Sequence, residues 1–188
     1  MELMSTIWKH PQLGNFKYDI EEGGWVGRIE LPAMKIFNWE DDSPSTGKYE
    51  LIFRNEDDEE KQPSSGAAQI ALAVLANQAK LPTMVTGILW DQFNGRGAKS
   101  DMWWYGDIKQ VAENFGYGEL PPPKRPEDLA PVMNFLRVNI CEEKYDYKIP
   151  FADLNFNTLF EEEHGLSILT DGKVILGTGY MHDAIPLE

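Results

Sequence analysis

An α+β domain with a largely antiparallel sheet and a helical hairpin packed on one face is the fold class the sequence predicts, on three observations. Apolar and polar residues alternate between Phe16 and Arg54, apolar positions recur at helical spacing from Ser65 to Phe93, and alternation returns at Leu136. Strands, then helices, then strands is the order expected when helices segregate to one face of an antiparallel sheet.

Taken in order, Trp25, Gly27, Ile29 and Leu31 alternate with Val26, Arg28 and Glu30, and Tyr49, Leu51 and Phe53 alternate with Lys48, Glu50 and Arg54. Both runs read as half-buried strands, and the turn residues Gly23-Gly24 and Ser43-Pro44-Ser45-Thr46-Gly47 precede them. The run from Asn55 to Gln62 reads as a solvated acidic loop. After Pro63, a serine is placed to cap a helix whose Ala67, Ile70, Ala71, Val74 and Leu75 share a face. Pro82 suits the first turn of a second helix carrying Val85, Ile88, Leu89 and Phe93, which ends at Asn94-Gly95.

A short helix is predicted from Asp107 to Phe115, followed by a stiff Pro-rich connector near 120–126 between N-terminal and C-terminal portions of one domain, 1–188. Glu127 to Met133 suits one helical turn. Leu136, Val138 and Ile140 then mark a strand, and Tyr145, Tyr147, Ile149 and Phe151 mark another.

With 188 residues, 42% hydrophobic and 12% aromatic, the chain is long and apolar enough to bury a core without staples. Its net charge of -14 opposes phosphate backbones and anionic lipid, so neither nucleic acid nor a membrane is an expected partner. The same field favours a basic protein. A single cysteine, Cys141, leaves no internal disulfide, and residues 1–10 lack a basic segment followed by an apolar one, so a cytoplasmic location is expected.

Chemistry-bearing residues concentrate near the C-terminus. Asp171-Gly172 is the pair expected for a two-residue type I′ turn, because both of its central positions need positive φ. Regular pairing from that turn would set Thr170 opposite Lys173, Ile168 opposite Ile175, Leu166 opposite Gly177 and His164 opposite Gly179. It would also set Glu163 opposite Tyr180 and Glu161 opposite His182, which sends His164 and His182 to opposite faces unless a bulge, for which Gly165 is suited, intervenes. On that geometry no metal and no cofactor is expected.

Glu161, Glu163, His164, His182 and Asp183 form the candidate functional cluster, able to supply a base and its orienting carboxylate but no identified nucleophile, so no catalytic residue is assigned. Cys141 acting with His164 is a second enzymatic reading, set against ordinary packing of a cysteine in an apolar strand. Asp101, Trp103, Trp104, Tyr105 and Asp107 form a candidate interface if the rings are exposed, and otherwise a core edge.

Two groups of residues carry a family likeness: Trp25-Val26-Gly27 with Leu31-Pro32 and the Gln69 helix, and Glu163-His164-Gly165-Leu166 with Asp171-Gly172-Lys173-Val174 and Gly177-Thr178-Gly179. In these the chain resembles a family of uncharacterised bacterial proteins with a C-terminal Glu-His-Gly signature, often regarded as immunity-like. The resemblance implies a small cytoplasmic α+β protein without assigned catalysis, binding a basic protein such as a toxin through its acidic surface. The alternative is a hydrolase or metal-dependent enzyme centred on the C-terminal Glu, His and Asp residues, and an accessory protein without a toxin partner is a third reading.

Overall fold

The structure, a computed structural model, describes residues 6–39, 46–54 and 61–187. The acidic runs at Glu40 to Asp42 and Glu56 to Glu60, and the Ser43-Pro44-Ser45 part of the expected turn, lie outside them. An eight-stranded sheet in strict chain order carries the fold. Its strands are β1 (Ile7–His10), β2 (Gly14–Asp19), β3 (Gly24–Glu30), β4 (Lys48–Arg54), β5 (Met133–Cys141), β6 (Phe151–Thr158), β7 (Glu161–Thr170) and β8 (Ile175–Gly179).

Every neighbouring pair is antiparallel except β4 and β5, which run parallel with Leu51 opposite Val138 and Phe53 opposite Ile140. A parallel pair needs a long crossover. Three helices supply it: α1 (Ser65–Asn77), α2 (Leu81–Phe93) and α3 (Ile108–Tyr117), followed by a 3-10 segment at Pro126–Val132. Ser64 caps α1 by accepting from Ala67 N at 3.1 Å, and Pro82 occupies the first turn of α2, as the sequence predicts.

Where a helical hairpin is expected, α1 and α2 are joined by a single 3-10 turn at Gln78–Lys80, and their main contacts are with different elements. α1 lies on β5 and β6, whereas α2 meets the 3-10 segments at Pro32–Ile36 and Pro126–Val132 and touches β8. The helices cover one face of the sheet, to which Phe53, Val138, Ile140, Leu154, Phe156 and Ile168 turn. Phe156 sits between Phe37 and Phe135, with ring centroids 5.2 and 5.1 Å away.

Two expectations are corrected. The Tyr145 to Ile149 stretch is no strand: Lys144 and Tyr147 close a tight turn in which Tyr145 has φ of 54°, and the strand begins only at Phe151. The terminal turn is not type I′ either, since of its two expected central residues Gly172 alone has positive φ. Asp171 Oδ1 accepts from Lys173 N at 2.8 Å and Val174 N at 2.9 Å, and Thr170 Oγ1 accepts from Gly172 N at 2.9 Å while donating to Val174 O at 2.6 Å. These local side-chain bonds satisfy a four-residue loop, which wins over the two-residue turn.

The longer loop and a bulge at Leu176 shift the ladder, so that Ser167, not His164, faces Gly179 and Ile168 faces Thr178. Gly172 rests on α1, where a Cβ would lie 2.6 Å from the backbone of Ala73 and Val74, at a φ of +84°. Gly172→Ala is therefore expected to destabilise the protein by roughly 3 kcal/mol, joining backbone strain to overpacking. Gly97→Ala, at a φ of +77° with nothing within 4 Å, should lose only about 1 kcal/mol when both variants are unfolded in urea.

Candidate functional site

A wide bulge on β7 organises the surface near the sequence-predicted cluster. Phe156 pairs with Leu166 and Thr158 with Glu161, so the single residue Asn157 is matched by Glu162, Glu163, His164 and Gly165. The extra residues leave the sheet, and Glu162, Glu163 and His164 become exposed while Glu161 and Gly165 stay buried. Gly165 makes this bend possible, with φ at +66° and the Met181 side chain and Phe156 carbonyl packed where a Cβ would sit.

Glu161 anchors the bulge. Its carboxylate is 8% exposed, and Oε1 accepts from the backbone N–H of His164 at 3.1 Å and lies 3.0 Å from His164 Nδ1. Oε2 accepts from the indole Nε1–H of Trp103 at 2.6 Å. A buried carboxylate is costly unless its lone pairs are filled, and here the filling ties the Trp103 segment to β7. Asn114 of α3 adds a second tie, donating to Phe160 O at 3.0 Å.

The two candidate groups read separately from the sequence thus meet. Trp103 is half-buried beside Glu161, whereas Trp104 is 0% exposed, its indole N–H donating to Gln92 Oε1 at 3.0 Å in a buried cluster that Thr178 completes at 2.7 Å. Trp104 therefore belongs to the core edge and not to a surface. Tyr105 donates to Gly97 O, and Asp107 caps α3 through Gln110 N at 3.1 Å, leaving Asp101 exposed.

An open groove of about 470 Å³ runs between α3 and the bulge, walled by Trp103 and Tyr117 on one side and Glu161, Glu162 and Glu163 on the other. Tyr180 stacks against His164 at 4.6 Å, and its phenol is pushed above its ordinary pKa by burial first and then by the charges of Glu161 and Glu163. Carboxylates beside aromatic faces stabilise positive charge in a visitor. They are poorly suited to an oxyanion, so the Glu161–His164 pair has the form of an oriented base in surroundings that oppose anionic intermediates. Tyr117 and Asn114 were not singled out by sequence, because neither stands out on a helix whose buried face is set by Val111 and Phe115.

His182 and Asp183 lie elsewhere. His182, at φ of 74°, borders a cavity on the helix-free face with Asp153 and Lys144, and Asp183 is exposed on the turn that follows β8. The five candidate cluster residues are therefore split between two places, and the two histidines have different neighbours. Cys141 borders the His182 cavity and not His164. Among the described residues no three His, Cys, Asp or Glu side chains are grouped to hold a metal ion, and no helix is long and apolar enough to cross a membrane.

Comparison with protein-family models, with curated proteins and with solved structures returns no match.

Asp153 supplies a pH test. Burial pushes its carboxyl above the ordinary value of 3.8, against the opposing hydrogen bonds of Ser167 and Asn155. The folded pKa lies above the unfolded one, so this group's stability contribution is full below 3.8 and is lost as pH rises through the folded pKa. Asp153→Asn should therefore raise the thermal midpoint at neutral pH, with an advantage that shrinks to nothing as scans are repeated toward pH 3.8.

Proposed function

We propose that the chain is a non-catalytic protein-binding module that captures a basic partner, and that a lysine or arginine of that partner enters the groove between α3 and the Glu162–His164 bulge. The observation that carries this reading is the 2.6 Å bond from Trp103 to Glu161, which joins an aromatic wall and an acidic wall into one surface. Aromatic faces and carboxylates together attract a cationic side chain, the first through the ring quadrupole and the second through charge. A chain with net charge of -14 also draws a basic protein toward that surface from a distance.

In the same reading the likeness to immunity-like bacterial proteins makes the partner a basic toxin met in the cytoplasm, neutralised by occupation of its cationic surface. The Glu161–His164 contact is the one observation favouring an enzyme instead. The two readings part on His164. For an enzyme His164→Ala abolishes function, whereas for a binding module it costs stability and leaves capture in place.

Capture kinetics test the proposal, using the product of a neighbouring toxin gene as partner. Glu162→Lys with Glu163→Lys should slow association by about tenfold or more at low salt and flatten its salt dependence, with an unchanged melting midpoint since both side chains are exposed. Association as fast as that of the native chain would overturn the groove as the contact.

A further inference from the structure

A second polar cluster lies on the face of the sheet that the helices leave open. Arg54 of β4, Asn139 of β5, Asp153 and Asn155 of β6, and Ser167 of β7 point there, because their neighbours Phe53, Ile140, Leu154 and Ile168 turn to the helices. They form a chain: Arg54 Nε donates to Asn139 Oδ1 at 3.0 Å, Asn139 Nδ2 to Asn155 Oδ1 at 2.6 Å, and Asn155 Nδ2 to Asp153 Oδ1 at 2.7 Å. Asn139 and Asp153 are only 2% and 3% exposed, which is unusual for such groups on a face without helices. Above them is a cavity of about 320 Å³ bordered by Glu22, Arg54, Asn139, Lys144, Asp153 and His182.

Charge here runs against the rest of the protein. Arg54 and Lys144 border the cavity and Arg137 reaches it through Glu22, which among the described residues is the one carboxylate hydrogen-bonded to both arginines. Arg54 Nη2 and Arg137 Nη1 reach the same oxygen, Glu22 Oε2, at 3.3 and 3.1 Å, and Arg54 Nη1 also donates to the Glu22 carbonyl. Burial first, and then the nearby Arg137, lower the pKa of Arg54, against the opposing charge of Glu22. Asp153 also borders the cavity, and its Oδ1 is engaged by Asn155 Nδ2 at 2.7 Å. Glu142 and Glu143, next along the chain, border a neighbouring cavity that Arg54 also lines, and Glu142 is engaged by Ser64 N at 2.7 Å.

Glu22 is held on the β2–β3 turn, ahead of Gly23 at φ of +63°, and its side chain is 38% exposed. A single oxygen shared by two guanidinium groups leaves part of their donor capacity unused, which a ligand with several anionic oxygens would satisfy more fully. We propose that this cavity binds a small carboxylate- or phosphate-bearing ligand, which Arg54 and Arg137 receive by displacing the carboxylate of Glu22. Lys144 stands at the rim, donating to the His182 carbonyl, and turns toward the ligand's remaining charge. The site is independent of the acidic groove on β7.

Titration of the full chain with inorganic phosphate and, separately, with succinate tests the inference, followed by amide chemical shifts at constant ionic strength with chloride as reference. Saturable shifts at Glu22, Gly23, Arg54 and Asn139 are expected, and the tighter of the two anions assigns the class. Glu22→Gln should tighten binding by roughly tenfold, by removing the internal competitor, and Arg137→Gln should weaken it by at least as much. Lys144→Gln, at the rim and harmless to folding, should weaken binding severalfold, while Glu163→Lys in the groove should leave it unchanged. Shifts that follow ionic strength alone, or an affinity unmoved by Glu22→Gln and Lys144→Gln, would overturn the proposal.

Discussion

The buried carboxylate of Glu161 is the constraint on which the functional surface depends. An acid held at 8% exposure must have its oxygens filled, and the partners that fill them come from three places: the backbone and ring of His164 and the indole of Trp103. Satisfying that one group fixes the bulge on β7, places Glu162 and Glu163 in solvent, and holds the segment after α2 against the sheet. Trp104, next in sequence, is thereby turned inward to Gln92, so that one tryptophan of the pair seals the core while the other walls the groove.

The sheet divides its work between its two faces. Toward the helices it is almost wholly apolar, with Leu51, Val138, Leu154 and Ile168 buried completely. Toward the open side it carries a line of one guanidinium, two amides, a hydroxyl and one acid whose hydrogen bonds run across β4, β5, β6 and β7. A buried polar chain of this kind adds little to stability over an apolar alternative, yet it fixes which groups face the cavity. The C-terminal residues return over the same side, with Leu187 N bonded to Leu176 O and Ala184 packed on Gly179.

Much of the fold was legible from periodicity. Ser64 and Pro82 announced their helix starts because capping and the fixed φ of proline act locally, and the alternation at Trp25 to Leu31 reports a sheet whose faces differ. The parallel pairing of β4 and β5 was not legible, since nothing within either strand records which neighbour the crossover delivers. The terminal turn misled for a local reason: Asp171-Gly172 fits a two-residue turn, but the Asp171 carboxylate and Thr170 hydroxyl also satisfy a longer loop, and no rule of turn composition weighs the two. The site was half visible. Glu161, Glu163 and His164 stood out as a cluster, yet their meeting with Trp103 spans 58 positions and is fixed only by tertiary packing. Asp153 and Asn155 did carry a signal, polar residues alternating with Ala152, Leu154 and Phe156 along the strand, which marks a polar face.

Whether Trp103 and Glu161 act as one unit is the question a double-mutant cycle answers most directly, with Trp103→Phe, Glu161→Gln and the double variant unfolded in urea. A coupling of about 1.5 kcal/mol or more is the outcome that agrees with a buried charge-assisted bond holding the two walls together. Losses that simply add would mean that the indole and the carboxylate are neighbours without dependence, and the groove would lose the contact that defines it.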